Sequence, residues 1–163
     1  MSARITLLVI LALALIATGC TQSAKCAWVD DGLNCGFDPP DGWVFETDVK
    51  LTTFRMTEGT AYKSRLEITS LSDKRFAKAD FQGWAEGFRI SMERNGLELD
   101  SFEIDPKAGY FEAQYKNHDG EKVIRRTRHT DGATIHLSGI CPPEEEGEFM
   151  DMFRETLATF RTW

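Results

Sequence analysis

The sequence predicts an α+β fold, in which an antiparallel sheet of about six strands is flanked by two main helices. Two observations lead to this prediction. Several short segments alternate apolar and polar residues and are joined by Asp-Gly turns, which is typical of antiparallel strands. After residue 80, and again near the C terminus, apolar residues recur every three or four positions, as in a helix with one buried side.

Composition limits the classes of protein to which the chain can belong. Of its 163 residues, 42% are hydrophobic and 28% are charged, a balance that fits one globular domain and not a disordered chain. The formal net charge is −7. Because nucleic-acid-binding proteins normally present a basic surface, we expect no nucleic-acid partner.

The N terminus has the pattern of an exported bacterial lipoprotein. Arg4 precedes an apolar run over residues 5–17, which is too short to span a bilayer, since a spanning helix needs about 20 residues. Ala17-Thr18-Gly19-Cys20 then resembles a lipobox, in which the signal is cleaved before the cysteine and the cysteine receives acyl chains such as palmitate. We therefore predict a signal peptide over residues 1–19 and lipidation of Cys20. The alternative is an ordinary secretory signal that leaves Cys20 as a plain thiol.

Lipidation of Cys20 would place the protein on a membrane of the bacterial cell envelope. Two or more acyl chains hold a protein on a membrane, whereas a single chain binds only marginally. The next residue is Thr21 and not aspartate. By resemblance to lipoprotein sorting in bacteria with two membranes, Thr21 favours the outer membrane, with the domain facing the periplasm.

Three cysteines remain once Cys20 carries lipid. Export places Cys26, Cys35 and Cys141 in an oxidising compartment, where disulfides form. If the chain turns at Asp30-Asp31, Cys26 lies opposite Cys35 at a separation that suits a disulfide. We predict this pair and a free Cys141, and the alternative joins one of the two to Cys141. No Cys-x-x-Cys spacing indicates a metal site.

The predicted elements follow the chain in order. We read residues 20–35 as a lipidated tether that contains the Cys26/Cys35 loop, and residues 36–163 as the globular domain. A turn signal at Pro39-Pro40-Asp41-Gly42 opens that domain. The strand-like segments are 43–47, 50–56, 65–71, 97–104, 110–116, 122–129 and 134–140.

Both predicted helices have one apolar face, which we interpret as core. The first begins at Asp80 and ends before Gly96, a residue that readily adopts the left-handed conformation of a helix end. The second follows Glu144–Glu146, whose negative charge is favourable at a helix N terminus. The core-facing positions are Phe81, Trp84, Ala85, Phe88 and Met92 in the first helix, and Phe149, Met152, Phe153, Thr156 or Leu157, and Phe160 in the second.

A two-residue turn at Asp131-Gly132 would bring polar side chains of two strands onto one face. It pairs Thr130 with Ala133, His129 with Thr134, Thr127 with His136, and Arg125 with Ser138. Arg125, His129 and His136 are therefore a candidate face for an anionic ligand or a metal. The simpler reading, which we favour, is a solvent-facing sheet surface. Because two histidines without a third ligand are a weak indication of a metal, we predict no metal site.

A local basic cluster surrounds that face. Lys122, Arg125, Arg126 and Arg128 could contact lipid phosphates or another anionic envelope polymer. We favour the simpler explanation that they neutralise carboxylates within the molecule, with Glu121 and Glu144–Glu146 as the nearest candidates.

The order of these parts resembles a known architecture. Pro40-Asp41-Gly42-Trp43 leads into strands, an amphipathic helix, a long antiparallel meander and a closing helix that ends in Thr159-Phe160-Arg161. This layout, over residues 36–163, is similar to the PsbP-like α/β/α sandwich. PsbP subunits of photosystem II, a nuclear Ran-GTPase-binding factor and bacterial DcrB-type lipoproteins share that sandwich. The resemblance implies an accessory or binding protein, and it supplies no set of catalytic residues.

No motif of nucleophilic, phosphate-binding or zinc-protease chemistry occurs in the sequence. We therefore expect a non-enzymatic envelope lipoprotein without a cofactor, which serves as a binding or assembly accessory of an envelope complex and has an envelope protein as its partner. The alternative is a small-ligand or metal-binding module that uses the face of Arg125, His129 and His136. An enzyme that uses the same histidines is the least favoured reading.

Overall fold

A computed structural model describes residues 26–47, 52–56, 62–72, 81–130 and 133–163. The fold is α+β, as predicted: a large antiparallel sheet carries one helix on each face, and a small sheet packs beside it. The predicted signal peptide, Cys20, the start of the strand at Lys50, the start of the helix at Asp80 and the Asp131-Gly132 turn lie outside the described residues. In the part of the chain that the structure describes, no helix is both long and apolar enough to cross a bilayer.

The elements are β1 (Trp28–Asp30), β2 (Cys35–Phe37), β3 (Trp43–Thr47), β4 (Thr52–Met56), β5 (Arg65–Ser72), α1 (Phe81–Arg94), β6 (Glu98–Asp105), β7 (Tyr110–Lys116), β8 (Lys122–Thr130), β9 (Ala133–Cys141), α2 (Glu146–Ala158) and β10 (Arg161–Thr162). The large sheet has seven strands, at the places of the seven strand-like segments, in the order β3-β4-β5-β9-β8-β7-β6, and the small sheet has the order β1-β2-β10.

The meander β6-β7-β8-β9 is confirmed, together with its register. Thr127 lies opposite His136, and Arg125 lies opposite Ser138. The loop between β7 and β8 contains the turn that its Asp-Gly pair predicts. Gly120 adopts the left-handed conformation there, with a φ of 79°. At the end of α1, Gly96 has a φ of 77°, the left-handed conformation expected after a helix.

Each face of the large sheet has its own apolar core, because successive residues of a strand point to opposite faces. On one face α2 contributes Phe149, Phe153 and Leu157, which pack with side chains of the central strands. On the other face Met92 of α1 belongs to a second cluster with residues of β7, β8 and β9. The two predicted helices therefore cover opposite faces, and the architecture is an α/β/α sandwich.

Helix α2 approaches the sheet most closely at Gly139, in the middle of β9. A Cβ atom at this position would lie 2.5 Å from Cδ2 and 2.7 Å from Cβ of Phe153. Both distances are shorter than any normal contact between carbon atoms. The Phe153 side chain thus occupies the space that a side chain at position 139 would need.

The small sheet corrects the predicted register of the first hairpin. Asp30, and not Cys26, lies opposite Cys35, because the connection is a four-residue loop. The Asp30 carboxylate accepts a hydrogen bond from the backbone N–H of Leu33 at 2.9 Å, and Asn34 has a φ of 52°. This side-chain hydrogen bond stabilises a loop longer than the two-residue turn that the sequence suggested.

The cysteines of the described residues are free thiols, so the structure contains no Cys26–Cys35 disulfide. Cys26 lies beside Gly36: a Cβ atom built on Gly36 would be 3.3 Å from the Sγ atom of Cys26. Cys35 and Cys141 are buried in the core beneath α2. Cys35, at the end of the predicted tether, is therefore packed in the core of the domain, and burial raises the pKa of its thiol to about 12.

The short C-terminal strand β10 was not predicted. Arg161 pairs with Gly36, and Thr162 pairs with Cys35. The backbone N–H of Trp163 adds a hydrogen bond of 3.1 Å to the carbonyl of Asn34. The C terminus is thereby attached to the same strand as the N-terminal hairpin.

Candidate functional site

The structure brings Arg125, His129 and His136 onto one face of the sheet, as the strand register predicts. Helix α1 covers part of this face, so the reading of it as a solvent-facing surface is wrong. The Trp84 ring lies 5.8 Å from the ring of His129, and the Phe88 ring lies 5.6 Å from the ring of His136, measured between centroids. The apolar stripe of α1 thus packs on imidazoles as well as on aliphatic side chains.

His136 is the more deeply buried of the two histidines, with 3% of its surface exposed. Its Nδ1 lies 2.8 Å from the hydroxyl of Thr127 on the neighbouring strand. Burial and, to a smaller extent, the positive charge of Arg125 together lower the pKa of His136 to about 3. The imidazole is therefore neutral at neutral pH.

His129 pairs separately with a second threonine. Its Nδ1 lies 3.3 Å from the hydroxyl of Thr134, while its Nε2 is buried without a hydrogen-bond partner in the described chain. Each imidazole is thus held by the threonine opposite it, and the two rings do not share a hydrogen bond. Within the described ranges, no three His, Cys, Asp or Glu side chains are grouped as metal ligands would be.

Arg125 is held in place by its neighbours on the sheet. Its Nε donates a hydrogen bond of 2.9 Å to the hydroxyl of Ser138, and its guanidinium carbon lies 5.5 Å from the centroid of the Tyr115 ring. Ser138 is buried and Arg125 is half-buried. The guanidinium is therefore held against the sheet by Ser138 and Tyr115.

The remaining members of the basic cluster have partners within the molecule. Lys122 lies 2.8 Å from a carboxylate oxygen of Asp100 and 3.7 Å from one of Glu146, so part of the predicted neutralisation is confirmed. Arg126 pairs with Glu112 at 2.7 Å and donates a hydrogen bond to the carbonyl of Leu157.

Arg128 donates to the carbonyl of Phe160 at 3.0 Å and to that of Ala108 at 2.7 Å. Together with Arg126, it binds carbonyls in and just beyond the last turn of α2. The last carbonyls of a helix lack partners within the helix and carry a partial negative charge, so cations are favourable there. These two arginines therefore fasten the end of α2 to the sheet.

A cleft that was not predicted opens between α1 and strands β5 and β9. Its volume is about 430 Å³. Two glycines and a serine at four-residue spacing form its helical wall, and this spacing is a signal that the sequence does contain. The lining residues are Leu71, Gly83, Trp84, Gly87, Phe88, Ser91, Thr134 and His136.

Comparison with known proteins identifies the fold. No protein-family model matches the sequence, and no curated protein matches it in a sequence search. The solution structure of cyanobacterial PsbP (CyanoP) from Synechocystis sp. PCC 6803 superposes with a TM-score of 0.62 at 13% identity, covering 90% of this chain and 99% of that chain.

A crystal structure from Bacteroides thetaiotaomicron superposes with a TM-score of 0.51 at 14% identity, covering 83% of this chain and 47% of that chain. At these identities the likeness concerns the backbone architecture and not the site residues. The α+β sandwich of this chain therefore has the PsbP-like fold that the order of its elements resembles.

Proposed function

We propose that this protein is a lipid-anchored, non-enzymatic accessory protein of the bacterial cell envelope. The observation that carries the non-enzymatic part is the separate pairing of His129 and His136 with threonines beneath α1. General acid–base catalysis needs a titrating group that reaches the substrate and has a pKa near the working pH. The buried His136, with its strongly lowered pKa, does not meet the second condition.

The anchoring part of the proposal rests on the lipobox pattern that ends at Cys20. Residues 20–25 would span at most about 20 Å when fully extended. The tether would therefore hold the small sheet close to the membrane surface, on the periplasmic side of the outer membrane in a bacterium with two membranes. We propose an envelope protein as the partner that the domain meets there.

Substituting alanine for Cys20 tests the anchor. In cells grown with labelled palmitate, we expect the wild-type chain to incorporate label and the Cys20→Ala variant to lose it, because the acyl-accepting thiol is gone. The matched control is Cys26→Ala, which removes a cysteine outside the lipobox and should keep the label. A Cys20→Ala chain that still carries palmitate would contradict the proposal.

Photo-crosslinking in the native envelope tests for the partner. Phe45 and Trp163 are exposed by 47% and 58%, so a photoreactive residue at either position should reach a bound protein without disturbing the core. We expect one envelope protein to be captured reproducibly, with mass spectrometry of the crosslinked peptides as the readout. Crosslinks to lipid alone at both positions would argue against a protein partner at these two surfaces.

A further inference from the structure

We propose that the cleft between α1 and strands β5 and β9 binds an uncharged, largely apolar small molecule that carries one hydrogen-bonding group. Its volume of about 430 Å³ lies within the range of about 300–1,000 Å³ that is usual for small-molecule sites. Leu71, Trp84 and Phe88 supply apolar walls. Because none of the described lining residues is a Lys, Arg, Asp or Glu, a charged ligand would lose its hydration without gaining a partner among them.

The glycines of α1 are the first sign that the space is retained for a ligand. Gly83 and Gly87 lie in the helix, where glycine is less favourable than alanine. A Cβ atom at Gly87 would have no neighbour within 4 Å, so close packing against the sheet does not require glycine there. The missing side chains deepen the cleft.

His136 supplies the second, independent sign. The residue is 97% buried, and its ring forms part of the cleft wall. Nδ1 is held by Thr127, whereas the other ring nitrogen, Nε2, has no hydrogen-bond partner among the described residues. The buried side-chain atom that lacks a partner in the described chain is Nε2 of His129, so Nε2 of His136 is accessible from the open cleft. A ligand hydroxyl, N–H or carbonyl group that reaches Nε2 would complete the hydrogen bonds of this ring.

These features favour a small molecule over a protein segment as the occupant. An apolar helix or strand laid on the cleft would leave the His136 nitrogen without a partner, which is costly in a buried position. A compact molecule with one polar group can fill the apolar part and satisfy the nitrogen together. Indole is a suitable probe, because it is uncharged, aromatic and carries a single N–H.

Fluorine NMR of the solubilised full chain, labelled with fluorotryptophan, tests the proposal. We expect the Trp84 resonance to shift saturably with indole in the wild type. In the Gly87→Leu variant, the new leucine side chain would occupy the cleft. The indole concentration at the midpoint of the titration should therefore rise at least about tenfold. The matched control is Gly147→Leu in α2, where a Cβ atom also has no neighbour within 4 Å but lies outside the cleft.

The controls separate specific binding from its alternatives. Gly147→Leu should bind indole as the wild type does. Equal binding by Gly87→Leu, or a non-saturating drift of all four tryptophan resonances, would overturn the proposal. The proposal would also be overturned if the molecular mass in solution were smaller for Gly87→Leu than for the wild type. That result would show that the cleft of the wild type binds a second copy of the chain.

A second comparison tests the role of His136 itself. Indole should bind the wild type about 2- to 10-fold more tightly than N-methylindole, which lacks the N–H donor. In His136→Leu the two probes should bind alike. Persistence of the preference for indole in His136→Leu would show that Nε2 is not the group that recognises the ligand. Neither result depends on lipidation of Cys20, so the cleft and the anchor can fail separately.

Discussion

Substituting alanine for Gly139 is expected to lower the free energy of unfolding by about 3 kcal/mol or more, an effect at the upper end of those caused by overpacking. The added methyl group would overlap with Phe153 of α2, whose Cβ lies 2.7 Å from the position of the new atom. Gly139 is flanked by Leu66 on β5 and Ile124 on β8, so its strand cannot move away freely. Urea denaturation followed by circular dichroism measures the effect.

Two further variants show whether the contact with Phe153 is the cause. Alanine at Gly87, a helical position with no neighbour within 4 Å, should instead raise stability by about 0.5–1 kcal/mol. Combining Gly139→Ala with Phe153→Leu should cost less than the sum of the two single changes, because the substituted residues touch. A Gly139→Ala chain as stable as the wild type would contradict the close approach of α2 to the sheet.

The second large effect concerns acid. Between pH 6.5 and about pH 4, we expect His136 alone to lower the free energy of unfolding by about 3 kcal/mol. Its pKa is about 3 in the folded chain, against an ordinary value of 6.5. The unfolded chain therefore binds the proton first as the pH falls. The contribution is fully present above pH 6.5 and is lost progressively as the pH falls toward the folded-state pKa.

His136→Gln removes the titrating group while keeping a polar side chain at the same position. Its unfolding free energy should depend less on pH than that of the wild type, by about 1.4 kcal/mol per pH unit within this window. The matched control is His118→Gln, which changes an exposed histidine in the loop between β7 and β8 and should leave the wild-type profile unchanged. Parallel profiles for wild type and His136→Gln would show that the imidazole is not buried as described.

The sequence was most informative where turn chemistry limits the pairing of strands. Asp131-Gly132 permits only a short connection, and a short connection determines which residues of β8 and β9 lie opposite one another. The shared face of Arg125, His129 and His136 followed from this register. Alternation of side chains cannot show which helix covers a face, however, and a face rich in polar residues was read as solvent-facing.

That reading was wrong because threonine can satisfy a buried imidazole. Thr127 and Thr134 each place a hydroxyl beside a histidine nitrogen, so the aromatic side chains of α1 can cover the rings. The same kind of local contact explains the first hairpin. There the Asp30 side chain stabilises a four-residue loop, and this shifts the partner of Cys35 from Cys26 to Asp30.

If Cys20 carries the proposed lipid anchor, the small sheet has a mechanical consequence. β2 lies between β1 and β10, and Phe37 of β2 is fully buried in the core. A pull on the tether would load the hydrogen bonds between β1 and β2 before it reached any strand of the large sheet. β10 holds β2 from the other side, so the last residues of the chain reinforce the point at which tension would enter the domain.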